Sequence, residues 1–207
     1  VNFFGHAAAA RGVDDAPAFV LGAMAPDLLP LCGAVADAVT SPKVAAGQAH
    51  HLSVDARFHS NPAFTALQAA TARAFIHDGL PRGAARGAAH VGIELFLDGA
   101  LGGEPRARDA YARSLADAET KDTPFVWRDE PSRLRWRALV LRLRAGAIPD
   151  QYRDPDFVAD RVIGALARRP RLALTAHEAT ILRTLLPALK LRVMAEAHAL
   201  AGALVDL

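Results

Sequence analysis

His51, Asp55 and His59 stand four residues apart in the segment His51-Leu-Ser-Val-Asp55-Ala-Arg-Phe-His59. On an α-helix, residues four apart share one face, each about 40° round from the last, so the three form a single polar stripe. A second segment, His90-Val-Gly-Ile-Glu94, repeats the pairing of an imidazole with a carboxylate, and Asp98 follows one turn later. Imidazole nitrogen and carboxylate oxygen suit zinc, manganese or iron, and facing helices of a bundle are a common frame for such ligands. His6 and Asp27 complete a candidate ligand set of His6, Asp27, His51, Asp55, His59, His90 and Glu94. Seven ligands exceed the need of one tetrahedral ion, so the pattern predicts a centre of two or three divalent metal ions. The alternative for each pair is an i,i+4 salt bridge on a helix surface.

These residues account for much of a skew in composition. Of eight histidines, six lie between His6 and His90. His77, beside Asp78 and Gly79, reads as a helix-end residue complementing the dipole. His177 and His198 lie near the start and end of the last helical segment and read as surface residues. His50 points about 100° away from His51 and is open to either reading. The 46 alanines and the ratio of 21 Arg to 3 Lys say little beyond helical character and codon usage. The one cysteine, Cys32, excludes a disulfide framework and any cysteine-based zinc knuckle.

The elements that must position these side chains read as helices. Ser41-Pro42 opens a segment running to about Ser60, and Asn61-Pro62 opens another closing near Gly79, both with a capping residue ahead of a first-turn proline. Arg82 to Ala100 carries apolar residues at helical spacing and ends at Gly102-Gly103. Helices over 104–119, 131–145 and 154–168 follow. Thr175-Ala-His-Glu178 is a capping-box pattern ahead of a long apolar helix in which Pro187 predicts a kink. Pro26 and Pro30 predict a break around Asp27. Strict alternation is nowhere sustained, so few strands or none are expected. The reading is an all-α, single-domain helical bundle over residues 1–207. No apolar run approaches a membrane span, and the N-terminal residues lack the features of a signal peptide, which makes a cytoplasmic protein the expectation.

Beyond these spacings, the chain resembles the acyl carrier protein phosphodiesterases, HD-like helical metal phosphohydrolases. Asn2-Phe3-Phe4-Gly5-His6 matches that family's opening segment, and Gly22-Ala-Met-Ala-Pro-Asp27 matches its Gly-x-x-x-x-Asp element. Pro42, Gly47, His51 and Asp55 match its third motif. Tyr152-Arg153-Asp154-Pro155-Asp156-Phe157 and Ala167-Arg168-Arg169-Pro170-Arg171-Leu172 resemble its C-terminal half. The resemblance implies an HD-like bundle, divalent metals, hydrolysis of a phosphodiester, and holo-acyl carrier protein as a partner. Two positions depart from the pattern. His59 stands where the family has an acidic residue, and His90, Glu94 and Leu95 align with an Asp and an Asp-His pair. The two helical His/carboxylate motifs are also similar to those of zinc-dependent phospholipase C and nuclease enzymes, an analogy of site rather than of chain.

Both comparisons imply hydrolysis in which metal ions lower the pKa of a bridging water and neutralise charge on the phosphoryl oxygens. Histidine ligands must be neutral, so activity is expected to fall as pH drops through about 6–6.5. Asp55 would belong to the catalytic machinery, and Arg57 and Arg86 are candidate phosphate clamps. Residues 128–171 hold 11 Arg against 6 Asp+Glu, a weak basic footprint suited to an acidic partner, a nucleotide or a phospholipid head group. Aromatic interleaving is confined to Trp127 and Trp136, which argues against nucleic acid. The competing class is a non-catalytic helical interaction domain that keeps the scaffold.

Overall fold

The computed structural model describes residues 2–120, 124–146, 148–202 and 204, leaving aside the side chain of Thr120. It is all-α apart from one short two-stranded ladder. The helices are α1 Phe3–Arg11, α2 Pro17–Cys32, α3 Pro42–Ser60, α4 Pro62–His77, α5 Arg82–Leu101, α6 Pro105–Thr120, α7 Glu130–Ala145, α8 Pro155–Ala167 and α9 Ala176–Ala201. Strand β1, Ala36–Val39, pairs antiparallel with β2, Phe125–Trp127. Single turns of 3-10 helix occupy Asp150–Arg153 and Pro170–Leu172.

Helix starts follow the capping signals. Ser41 accepts from the Val44 amide, Asn61 from Ala63 and Phe64, Asp129 from Ser132, and Asp154 from Asp156. Thr175 and Glu178 form the reciprocal capping box, and α9 runs through Pro187 as one element.

The expected break around Asp27 is a correction. Helix α2 passes through both Pro26 and Pro30 and ends only at Gly33, whose backbone is left-handed with φ 67°. Two missing amide donors are tolerated because the helix is gripped on its other faces. Met24, Ala25 and Leu28 are fully buried, whereas Pro26 is half-buried and Pro30 exposed. Tertiary packing outweighs the local cost of proline. Asp27 therefore sits within a helix, one turn beyond Ala23, and not at a corner.

The most extensive helix pair is α2 with α3. It depends on two glycines. A Cβ on Gly22 would lie 2.2 Å from the Val44 carbonyl oxygen, and one on Gly47 would lie 2.1 Å from the Phe19 carbonyl oxygen. Only glycine permits this backbone approach, which brings Asp27 on α2 and the His51–His59 stripe on α3 to one place. Helix α5 packs against α1, α4, α8 and α9. Its small residues Ala84, Ala85, Ala88, Ala89 and Gly92 are buried, which lets several helices approach it.

A third device fixes α1. Asp98, fully buried on α5, accepts from the Phe4 amide (3.1 Å), the Gly5 amide (2.9 Å) and the Asn2 side chain (3.1 Å). The first-turn amides of a helix have no partner within it, so this carboxylate caps α1 from another helix and meets the positive end of its dipole. His6 is thereby held in register with Glu94, one turn before Asp98.

Candidate metal centre

Four helices deliver the seven predicted ligands to one region. His6 comes from α1, Asp27 from α2, His51, Asp55 and His59 from α3, and His90 and Glu94 from α5. Six of them fall into two groups, His6–Asp27–His51 and His59–His90–Glu94, each residue offering one ligand atom and the atoms of a group all lying within 4.8 Å of one another.

In the first group His6 is fully buried, with Nε2 lying 3.9 Å from Asp27 Oδ2. Its ring stacks on that of His51 with centroids 3.7 Å apart. Among the described residues neither nitrogen of His6 has a hydrogen-bond partner, nor has the buried Oδ2 of Asp27. His51 Nδ1 donates to the Ala23 carbonyl at 2.8 Å, which fixes the tautomer and leaves Nε2 bare. Orphaned buried nitrogen and oxygen atoms converging in this way have the chemistry of a cation site, since buried polar groups are otherwise almost always partnered.

The second group is built on Glu94. Its Oε1 lies 3.1 Å from His59 Nε2 and 3.1 Å from His90 Nε2. The Gln68 side-chain amide lies 3.0 Å from His90 Nδ1. Turned about its last bond, that amide offers its oxygen to Nδ1–H and leaves Nε2 of His90 as a ligand.

Asp55 joins the two groups. Its Oδ1 is 3.6 Å from His6 Nε2 and its Oδ2 is 3.5 Å from His59 Nδ1.

The electrostatics suit cation binding. Burial pushes His6 down to about 4, with Asp55 in partial opposition, and burial likewise lowers His51, so both rings are neutral near pH 7. Burial and then the charge of Glu94 push Asp27 up to about 8. For Asp55, burial opposes ionisation, but His6 and His59 outweigh it and hold the carboxyl at about 2. Burial also opposes ionisation of Glu94, and hydrogen bonds from His59 and His90 hold it well below its ordinary range. The hydrogen bond to Glu94 in turn raises His59.

A pH dependence follows. With ions removed, Asp27 holds its proton more tightly folded than unfolded, so its contribution to stability is present below about pH 4 and is lost as pH rises through about 8. His6 acts oppositely, and its contribution is complete above its ordinary value near 6.5. Between pH 6.5 and 8 the chelator-treated protein should therefore lose thermal stability, and added divalent ions should reverse the loss by taking the ionised carboxylate. Melting temperatures across that interval, with and without chelator, test this; a chelated sample whose Tm climbs over the same range would contradict it.

The remaining histidines separate cleanly. His77 is exposed and lies 3.0 Å from Asp78 at the end of α4. His177 and His198 are exposed, and His50 packs on Phe19. The site opens at its second group into a cleft of about 700 Å³ lined by His90, Glu94, Gln68 and Arg86. Of the two predicted clamps, Arg86 lines this cleft. Arg57 does not, because it follows Asp55 by two residues and so projects from another side of α3. Sequence reasoning missed the Ala23 carbonyl, Gln68, and the clamp of Asn2 and Asp98. Only the last had a signal, since Asp98 continues the stripe of His90 and Glu94. No family model, curated protein or solved structure matches this chain. No described helix is long and apolar enough to cross a membrane.

Proposed function

We propose that this chain is a divalent-metal-dependent phosphohydrolase. Within that class the reading is a phosphodiesterase with a dinuclear centre. The observation that carries it is the Asp55 carboxylate set between two three-residue groups, one oxygen toward each. His6, Asp27 and His51 would hold one ion, and His59, His90 and Glu94 the other. Zinc, manganese or iron suits this donor set. Such ions supply Lewis acidity at a phosphoryl oxygen and an acidified water as nucleophile.

The chain's own residues would bind and orient. Asp55 holds the two groups at a fixed separation. The Ala23 carbonyl and Gln68 aim His51 and His90. The buried neutral ring of His6 needs no deprotonation before it binds. Arg86, in the lining of the cleft, would hold a non-bridging phosphate oxygen. The resemblance to acyl carrier protein phosphodiesterases supports a diester over a monoester and makes holo-acyl carrier protein the first natural substrate to try.

The test is hydrolysis of bis-p-nitrophenyl phosphate by wild type and His90→Ala, with metal content measured on both. Wild type should turn over, and His90→Ala should lose one ion per chain and roughly a hundredfold or more in rate. Release of phosphopantetheine from holo-acyl carrier protein then separates the named substrate from other diesters. A wild type without activity or metal would make the chain a non-catalytic helical domain and overturn the reading.

A further inference from the structure

The cleft beside His90 and Glu94 has a second wall that the ligand spacings did not indicate. It is formed by Arg168 and Arg169, at the turn between α8 and the 3-10 segment Pro170–Leu172. The turn is held by its own backbone, with Arg169 N–H donating to the Leu166 carbonyl and Leu172 N–H to the Arg169 carbonyl. It reaches α5 closely because α5 presents glycines there. A Cβ on Gly83 would lie 3.0 Å from Leu172, and one on Gly87 would lie 2.8 Å from Leu166. Backbone and packing together bring Arg168 and Arg169 to the lining of the cleft that also holds His90 and Glu94.

Their state differs from that of the arginines held in ion pairs. Arg108, Arg113, Arg128, Arg133, Arg144 and Arg183 each pair with a carboxylate. Arg86 and Arg169 enter none of the ion pairs among the described residues, and Arg168 makes one long, exposed bond to the Leu31 carbonyl at 3.4 Å. Among the described residues, the one carboxylate lining this cleft is Glu94, itself a candidate ligand. Three cations that line one recess, without carboxylate partners among the described residues, create a field that favours anions, and the planar fork of arginine matches phosphate geometry. One phosphoryl group at the ions and Arg86 does not use them all.

We infer that Arg168 and Arg169 form a second anion subsite, so that the preferred substrate is a phosphodiester carrying a further phosphate on one of its alcohol groups. The inference rests on the phosphodiesterase reading of the adjoining centre. A cleft of about 700 Å³ has room for a ligand of nucleotide size.

The test compares two diesters that differ in one group: thymidine 5′-(p-nitrophenyl phosphate) with and without a 3′-phosphate. Wild type should favour the 3′-phosphorylated compound by roughly tenfold or more in kcat/KM. In Arg168→Ala/Arg169→Ala that ratio should fall toward one. Arg137→Ala/Arg192→Ala removes the same charge from exposed positions elsewhere and should keep the ratio. A wild type with no preference, or a double variant that retains it, overturns the subsite. If neither diester is cleaved, calorimetric titration of the purified protein with pyrophosphate decides. Binding weakened about tenfold in Arg168→Ala/Arg169→Ala sustains the subsite while the hydrolase reading fails, and equal binding or none overturns the subsite.

Discussion

Replacing Asp55 by alanine is expected to reduce hydrolysis of bis-p-nitrophenyl phosphate by about a thousandfold or more, with helix content unchanged. Among the described residues, no other carboxylate has one oxygen near each of the two groups. Oδ1 lies toward His6 and Oδ2 toward His59, so a single truncation removes a negative charge from each half of the centre. The loss should appear in kcat more than in KM, because the reacting centre is dismantled while the arginine-lined cleft is left intact. Metal content should fall alongside. Asp55→Asn separates charge from shape: the amide fills the same space without the charge, so it should also lose ions and rate. Were Asp55 merely one half of an i,i+4 pair with His59 on a helix surface, both substitutions would change turnover by less than about threefold, since such pairs contribute only a few tenths of a kcal/mol.

The second large effect concerns stability. Asp98→Ala should destabilise the protein by about 3–5 kcal/mol, because it leaves the Phe4 and Gly5 amides and the Asn2 side chain without their acceptor in a buried place. For a chain of this size that corresponds to a Tm lower by roughly 10 °C, measurable by circular dichroism. Asp98→Asn keeps the volume but turns a donor toward donors, so it should cost an intermediate amount. A Tm within about 2 °C of wild type for Asp98→Ala would show that the clamp on α1 does not contribute as described. The effect also reaches the centre, since α1 carries His6. Metal content in Asp98→Ala should therefore be lower than its folded fraction alone accounts for.

Much of the fold was readable because its signals are local. Ser41, Asn61 and Thr175 announce helix starts through groups that bond within the next turn, and the structure has each of them. What misled was equally local. Pro26 and Pro30 break a helix in isolation, yet α2 continues through them because α3 lies against it at Gly22 and Gly47. Both glycines stood in motifs ahead of Asp27 and His51. Nothing in spacing alone says that a glycine marks a crossing of two backbones rather than a turn.

For the site, i,i+4 periodicity placed His51, Asp55 and His59 on one stripe and paired His90 with Glu94. It could not say how seven residues divide. That division depends on the contact of α1, α2, α3 and α5, which is a matter of tertiary packing. Groups that orient a ligand from a distance, such as the Ala23 carbonyl and Gln68, leave no pattern in sequence because a carbonyl belongs to every residue. The alanine excess gained a partial physical reading too. Ala85, Ala88 and Ala89 are fully buried on α5 and allow neighbouring helices to close around the candidate site.

The central claim is that two groups of three residues, joined through Asp55, hold two divalent ions. Elemental analysis of the full chain, purified without chelator and dialysed against metal-free buffer, tests it most directly. The expected result is close to two equivalents of zinc, manganese or iron per chain, falling to about one in His90→Ala and below one in Asp55→Ala. Wild type holding none of these metals, or variants matching wild type in content, would contradict the account.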